Sequence, residues 1–331
     1  MKTLRRIPRE PDYLDLQVEA MEKRLHLAGN VTAIMNASGD ITITGDNTAN
    51  EIYIETSGGG NLRVEGGFGT TVNGGMATIL DLNGTGVIGG NLNIRMKGGD
   101  DIVSVSDVHV ADELYVRMGA GDDIFGGATI QADGRVRIFG DAGHDLVSIL
   151  LLDAGGDVLL HGGAQDNAIQ VVDSNVDGNL TLQANGGHDE MGVIFTAVIG
   201  ETVMLSGGGD DQLHFATSTS STIRANLGGG EDLFFGFEMA TSDLDVNLGA
   251  GADLASLKDV QFTTSRIVGG GGDDMLIMLA ATGSQAEFLS GGGNDLIAIT
   301  CGSSVGQVSA NTSGGNDTVV FGDIGVKTLD L

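Results

Sequence analysis

One short phrase, a run of glycines followed by two polar, mostly acidic residues and an apolar segment, recurs through most of this chain. The second polar residue serves as an anchor, and successive anchors are 21 or 22 residues apart. The anchors are Asp101, Asp123, Asp145, Asn167, Asp189, Asp211, Asp232, Asp253, Asp274, Asp295 and Asp317. A register held this long is typical of a solenoid, in which each copy is one structural unit.

The residues around each anchor predict a tight corner between two strands. Glycine lies two residues before every anchor except Asn167, where Gln165 replaces it. Glycine tolerates positive φ, so the phrase suits a sharp turn. Alternating apolar pairs flank the corners, such as Leu276 and Met278 after Asp274. Alternation with a period of two predicts strands with one buried face.

A strand–corner–strand unit of this size cannot bury its own apolar face, whereas stacked copies can. The sequence therefore predicts an all-β fold, a single-stranded parallel β-helix or β-solenoid with 21–22 residues per coil. A β-sandwich is the rival, but it requires no identical corner at a fixed period. The middle of each unit is irregular and could hold a third short strand or a loop.

The pattern extends upstream of the first regular copy. Asn50 and Thr71 fit as further anchors, and an insertion around Gly74 would enlarge the coil before Asp101. Residues 29–331 then read as one solenoid of about thirteen coils at about 4.8 Å each.

Residues 1–28 form a separate N-terminal segment. The beginning is basic, and residues 11–28 carry Leu14, Val18, Met21 and Leu25 at helical spacing. We expect a short amphipathic helix that caps the first coil or serves in targeting.

The composition narrows the classes of function. The chain has 45 Asp and Glu against 16 Lys and Arg, a formal net charge of −29. This balance disfavours nucleic acid and anionic membranes as partners, and it suits cation binding. No apolar run is long enough for a membrane span. Cys301 is the only cysteine, which excludes a disulfide within the chain, and we expect it to be a small structural residue.

No catalytic motif is found in the sequence. Nucleophile-elbow, zinc-protease and phosphate-loop phrases are all missing, and the chain has no Trp and 3 Tyr. Paired acids such as Asp210 and Asp211 could imitate a glycosidase dyad, but a feature that recurs at many corners is more typical of architecture. A polysaccharide lyase or hydrolase built on a parallel β-helix stays open as the alternative to a non-enzymatic module.

The stretch GGGGDDMLI at Gly269–Ile277 resembles the nonapeptide G-G-x-G-x-D-x-U-x of the RTX, or hemolysin-type, calcium-binding repeats. The resemblance implies that corner carboxylates and backbone carbonyls bind calcium between successive turns. The positions carried over are Asp101, Asp123, Asp145, Asp189, Asp211, Asp232, Asp253, Asp274, Asp295 and Asp317. Family coils carry two such phrases in about 18 residues, whereas these coils carry one in 21 or 22, so at most one edge would hold calcium.

Electrostatics offers two interpretations of the acidic corners. Stacking would place anchor carboxylates about 4.8 Å apart, where repulsion is significant and Ca²⁺, which prefers oxygen ligands, would relieve it. Alternatively, each Asp only caps its own turn by accepting backbone amides. Asn167 would serve equally well in that role.

The N-terminal phrase indicates a location. Residues 21–31, MEKRLHLAGNV, resemble the "LExRxLLAGNV" phrase that opens many large secreted or surface proteins of planctomycete bacteria; Met21 and His26 depart from it. The resemblance implies an extracellular or cell-surface protein, where calcium is abundant. The sequence identifies no partner, and cell-surface or matrix components are the candidates. The combined prediction is a non-enzymatic structural or adhesive solenoid with a row of calcium sites along one edge.

Overall fold

The computed structural model describes residues 29–330, and the helix expected at residues 11–28 lies outside them. The described chain is an all-β parallel solenoid of about 11 turns, with three columns of stacked strands around one apolar core. This confirms the predicted fold class and replaces the expected thirteen coils with about 11.

The first column contains the strands that follow each Gly-Asp corner. Its members are β3 (Glu51–Thr56), β9 (Ile102–Val110), β11 (Ile124–Ala132), β13 (Leu146–Ala154), β15 (Ala168–Val172), β18 (Glu190–Ile194), β21 (Gln212–Ala216), β23 (Leu233–Phe237), β25 (Leu254–Lys258), β27 (Met275–Leu279), β29 (Leu296–Thr300) and β31 (Thr318–Phe321).

The third column contains the strands that precede each corner. Its members are β2 (Ile41–Thr44), β8 (Leu92–Gly98), β10 (Leu114–Ala120), β12 (Val136–Ala142), β14 (Val158–Gly163), β17 (Leu180–Asn185), β20 (Glu201–Gly208), β22 (Thr219–Gly229), β24 (Ala240–Ala250), β26 (Thr264–Gly271), β28 (Thr282–Gly292), β30 (Ser304–Asn311) and β32 (Thr328–Asp330).

A short second column lies between the other two, as the irregular middle of the repeat allowed. It contains β7 (Val87–Ile88), β16 (Asn175–Val176) and β19 (Ala197–Val198), together with the ends of β9, β11 and β13 and the starts of β22, β24, β28 and β30. In the regular coils from Asp101 onward, the strands of each column pair in parallel with the copy 21 or 22 residues away, as when Ile124 pairs with both Ile102 and Leu146.

The core consists of the alternating apolar residues that the sequence pattern picked out. Leu276, Met278, Leu244 and Val246 are all at most 2% exposed. Burying one such side chain contributes roughly 1.5–3 kcal/mol, and stacking makes the burial continuous along the whole solenoid.

The N-terminal end differs from the expected register. Asn50 is a true corner residue, but its coil stacks directly on the coil of Asp101, because β2 pairs with β8 and β3 pairs with β9. Thr71 is not an anchor: it lies in β5 (Thr71–Val72), which pairs with β1 (Asn30–Met35). The intervening residues therefore form an excursion and not an enlarged coil.

This excursion covers the strand edges of the first coil. Strand β1 pairs antiparallel with β2, while β4 (Leu62–Gly66) pairs antiparallel with both β3 and β6 (Ala77–Leu80). Antiparallel neighbours use up backbone groups that would otherwise remain open to another chain. Residues within 29–88 thus cover edges of the first coil, a role that the sequence analysis had offered, beside targeting, for the N-terminal helix.

Candidate functional site

Glycine permits the close stacking of the corners. Gly270 and Gly272 have φ values of 114° and 135°. A Cβ on Gly272 would lie 1.7 Å from the carbonyl oxygen of Gly251 in the preceding coil, and a Cβ on Gly270 would lie 1.8 Å from that of Gly249. The glycines of the phrase are therefore required by backbone approach between coils, whether or not a metal is bound.

The corners in which another residue replaces a glycine of the phrase keep part of the same backbone conformation. Lys97, Asp141 and Asn185 occupy the first glycine position with φ values of 86°, 79° and 96°. Gln165 replaces the second glycine, and its Oε1 accepts the amide of Gly143 at 3.1 Å. The substitutions that departed from the RTX pattern therefore do not break the stack.

The anchors form one column of side chains, which we call the inner ladder; it is buried in every coil except that of Asp317. Each anchor is tied to the corner before it, because its Oδ1 accepts the backbone amide of the preceding anchor at 2.7–3.0 Å. The inner ladder contains Asn50, Asp101, Asp123, Asp145, Asn167, Asp189, Asp211, Asp232, Asp253, Asp274, Asp295 and Asp317.

The inner ladder brings together all ten Asp residues predicted as calcium ligands, in one column. It corrects the alternative interpretation, in which each anchor only caps its own turn while facing solvent. Asp274 is 2% exposed, and its partner amide belongs to the neighbouring coil. Asn167 serves as well as Asp, since its Oδ1 accepts the amide of Asp145 at 3.0 Å. A neutral amide oxygen thus satisfies the hydrogen bond that the geometry demands.

The residues just before the anchors form a second column, the outer ladder, which is exposed and runs in the opposite direction. Each acceptor side chain accepts a hydrogen bond from the backbone amide of the equivalent residue in the next coil, as when Asp273 Oδ1 accepts the amide of Asn294 at 2.8 Å. The acceptors are Asp100, Asp122, Asp166, His188, Asp210, Asp273 and Asn294. His188 accepts the amide of Asp210 through Nδ1 at 3.1 Å, which places it in the ladder.

The second carboxylate oxygens of the inner ladder dominate its electrostatics. The Oδ2 atoms of Asp145, Asp232, Asp253, Asp274 and Asp295 are buried and accept no hydrogen bond from any residue in the described range. Burial raises the pKa of Asp232 and Asp274 to about 7 and that of Asp145 to about 6, against the lowering effect of the amide bond. Charged neighbours in the column raise the pKa further.

The inner ladder offers hard oxygen atoms to a cation but no cluster of side chains. Within residues 29–330, no group of three or more His, Cys, Asp or Glu side chains could hold a metal ion. An ion at this column would have to take one buried Oδ2 from an anchor and complete its coordination with backbone carbonyls and water. Calcium accepts such mixed oxygen sets.

Each coil has a second corner that the sequence did not reveal. The residue six positions after the anchor has positive φ in every regular coil, with values near 50°. These residues are Asp107, Thr129, Leu151, Asp173, Phe195, Thr217, Glu238, Asp259, Ala280, Cys301 and Asp323. Four of them are Asp and two are Thr, while the other five all differ, so no single residue type marks this position. Cys301 occupies it in its own coil.

Buried hydroxyls strengthen this second corner in some coils. Ser174 Oγ accepts the amide of Leu152 at 3.0 Å, and Ser218 Oγ accepts that of Thr196 at 2.9 Å. These serines act on a neighbouring coil in the same way as the anchors. A repeat search keyed on glycine and aspartate misses them because only a few coils carry them.

The chain was compared with known proteins. No model of a protein family matches it, and neither does any curated protein or solved structure. No helix in the described part of the chain has the length and apolar character needed to cross a membrane.

Proposed function

We propose that this chain is a non-enzymatic structural and adhesive solenoid of the extracellular space or cell surface. The observation that carries this proposal is the pair of opposed side-chain ladders. They use the repeated acidic residues as coil-to-coil hydrogen-bond acceptors along one edge. An acidic side chain committed to a backbone amide in every coil suits a stiff scaffold better than a single catalytic centre.

A groove on the third column is the strongest support for the alternative, a polysaccharide-acting enzyme. The groove has a volume of about 600 Å³ and is lined mostly by polar residues of β22, β24, β26, β28 and β30. Two of its carboxylates, Asp245 and Glu287, lie 3.2 and 3.4 Å from the guanidinium of Arg266. Both carboxylates are therefore already engaged with one arginine. A product screen on neutral and acidic polysaccharides tests this alternative, and turnover would establish it.

We further propose that the inner ladder takes up Ca²⁺. Support comes from the buried Oδ2 atoms that accept no hydrogen bond within the described residues, because stacked carboxylates in such surroundings need either a cation or a proton. Asp232, Asp253, Asp274 and Asp295 are consecutive in the inner ladder, and their four buried Oδ2 atoms would supply oxygen ligands in neighbouring coils. Calcium there would neutralise the column and couple the coils.

The experiment compares thermal melts in chelator and in millimolar CaCl₂ at pH 8, where protons compete least. Calcium binding to the folded form alone raises the melting temperature with concentration. Asp274→Asn keeps the amide acceptor but removes one charge, so it should reduce the calcium-induced shift. Asp273→Asn, its neighbour in the outer ladder, is the matched control and should leave most of the shift intact.

An unchanged melting temperature in calcium would overturn the calcium proposal and leave the amide-acceptor role of the ladder as the explanation of the acidic corners. The structural proposal has its own test. A rigid solenoid predicts a single elongated particle in small-angle scattering, in chelator as well as in calcium.

The extracellular location is part of the same proposal. It is supported by the resemblance of the N-terminal phrase and by the net charge of −29, which keeps an exported protein soluble. Detection of the native protein in the surface or culture fraction of its source cells would test it.

A further inference from the structure

The basic residues of this acidic chain are unevenly distributed. Of 16 Lys and Arg, six lie in residues 1–28, which leaves 16 − 6 = 10 for the solenoid. Five of those ten fall in three consecutive coils between residues 95 and 137: Arg95, Lys97, Arg117, Arg135 and Arg137. The same stretch also carries eight Asp and Glu residues, so a basic patch arises only where the strand register gathers the basic side chains on one face.

Strand register gathers this patch on the outward face of the third column. Arg95 pairs with Arg117, which pairs with Phe139, which pairs with His161. In the adjacent outward row, Tyr115 pairs with Arg137. Side chains of one row in neighbouring coils are about 4.8 Å apart, so the two rows form a continuous surface. We call it the arginine–tyrosine face.

Aromatic rings and guanidinium groups alternate on this face. The Tyr115 ring lies between two arginines, with the guanidinium carbons of Arg95 and Arg137 at 5.6 and 5.2 Å from its centroid. The Phe139 ring is 5.8 Å from the Tyr115 ring and 5.9 Å from that of His161. The cation–π contacts hold the guanidinium groups in place while leaving their outer N–H donors available.

The cationic charge of the face is only partly neutralised. Arg117 pairs with Asp141, and Arg137 pairs with Glu113. Arg95 lies beside Arg117 in register, and like charges in that relation repel. Within residues 29–330, Arg95 and Lys97 form no ion pair with a carboxylate. Repulsion between Arg95 and Arg117 would be relieved by an anionic group placed over them.

We propose that the arginine–tyrosine face binds an anionic polysaccharide. Carboxylate or sulfate groups of the polymer contact Arg95, Lys97 and Arg117, and a sugar ring lies against Tyr115 and Phe139. Arginine forks suit such planar or multi-oxygen anions, and an exposed aromatic ring offers an apolar surface to a sugar. Nucleic acid fits less well, because a long polyanion extending past the patch meets the acidic remainder of the chain.

This proposal rests on the adhesive role proposed above, to which it gives a partner class, but it is independent of calcium. The binding face belongs to the third column in the coils of Asp101 to Asp145, whereas the inner ladder lies at the corner. Calcium-dependent melting and polymer binding can therefore succeed or fail separately.

The test is affinity electrophoresis and calorimetry of the full chain with four probes: polygalacturonate, dextran sulfate, neutral dextran and a 20-nucleotide oligo(dT). Each is measured in chelator at low and high salt. We expect binding to one or both anionic glycans, weakening as salt rises, and no binding to neutral dextran. The two anionic probes distinguish carboxylate from sulfate as the preferred group.

Two variants and one control assign the binding to this face. Arg95→Gln and Tyr115→Leu change exposed or half-buried side chains and should each weaken binding by roughly tenfold. Arg266→Gln alters the same column several coils away, where the arginine is paired with Asp245 and Glu287. It should change the affinity by less than about twofold.

Failure of both anionic glycans to bind at low salt would overturn the proposal, and so would binding of oligo(dT) alone. Equal losses in Arg266→Gln and Arg95→Gln would show that binding follows general charge and would also overturn it. Melting curves of the three variants confirm that each is folded before its affinity is compared.

Discussion

Asp274 holds Asp253 by accepting its backbone amide at 3.0 Å, while the residue just before it, Asp273, accepts the amide of Asn294 at 2.8 Å. One side chain reaches back to the preceding coil and the other reaches forward to the next. The two adjacent acidic residues of one phrase therefore connect three consecutive coils. This explains why the phrase so often carries a pair of acids when the turn itself needs only glycine.

The inner ladder predicts that two substitutions of Asp274 differ in their effect on stability. Asp274→Ala leaves the buried amide of Asp253 without its acceptor and should cost about 1–3 kcal/mol. Asp274→Asn keeps an acceptor oxygen, as Asn167 does naturally, and should be neutral or stabilising in chelator because a buried charge is removed. Urea midpoints of the two variants measure the difference. Equal destabilisation by Ala and Asn would contradict the assigned hydrogen bond.

The raised pKa values predict an inverted pH dependence in the absence of a cation. Asp189, Asp232 and Asp274 have folded pKa values of about 7, above the ordinary value of 3.8. Between pH 3.8 and about pH 7 the folded state therefore binds more protons than the unfolded state. The stability that these three residues contribute is lost as the pH rises towards and through 7.

We accordingly expect a higher melting temperature at pH 5.5 than at pH 8.5 in chelator. Asp232→Asn combined with Asp274→Asn should flatten the profile, because neither amide titrates. A melting temperature that rises over this pH range in the unmodified chain would contradict the burial of charged carboxylates in the ladder.

Local periodicity was enough to predict the two main strand columns, the Gly-Asp corners and the core. Each of these follows from residues that recur in every copy, such as Gly272, Asp274 and Leu276, and stacking gives every copy the same surroundings. The side-chain partner of Asp274 could not be predicted, because capping its own turn and capping a neighbouring coil need the same residue type.

The N-terminal end was assigned incorrectly for a related reason. Asn50 and Thr71 both satisfy the apolar spacing, and a one-dimensional pattern cannot tell which copy stacks on Asp101. The structure joins the Asn50 coil to that of Asp101 across an interval of 51 residues, since the intervening strands find antiparallel partners. Strand direction is not encoded in alternation alone.

Two neighbouring glycines test the stacking requirement. Gly272→Ala places a Cβ against the carbonyl oxygen of Gly251 at a residue with φ of 135°, whereas a Cβ on Gly271 meets nothing within 4 Å. We expect Gly272→Ala to cost at least about 2 kcal/mol and Gly271→Ala to stay within about 0.5 kcal/mol of the parent. Urea midpoints again provide the measurement, and similar effects at both positions would contradict the close approach of the coils.

The second corner predicts a stabilising substitution. Phe195 is 59% exposed and has φ of 52°, a conformation that a bulky side chain adopts at a cost of roughly 1–2 kcal/mol. Phe195→Asn should relieve part of this strain and raise stability by about 0.5–1 kcal/mol, because asparagine tolerates this region of φ. A loss of stability in thermal melts would show that the exposed ring makes contacts that outweigh the backbone strain.

The most direct test of the two-ladder account is amide hydrogen exchange at the corner of Asp253, measured in the parent chain, Asp274→Asn and Asp274→Ala in chelator. The account predicts slow exchange of the Asp253 amide in the parent and in Asp274→Asn. In Asp274→Ala that amide should exchange at least about tenfold faster, while amides of the distant β10 stay protected. Unchanged protection of Asp253 in Asp274→Ala would contradict the claim that corner side chains join successive coils.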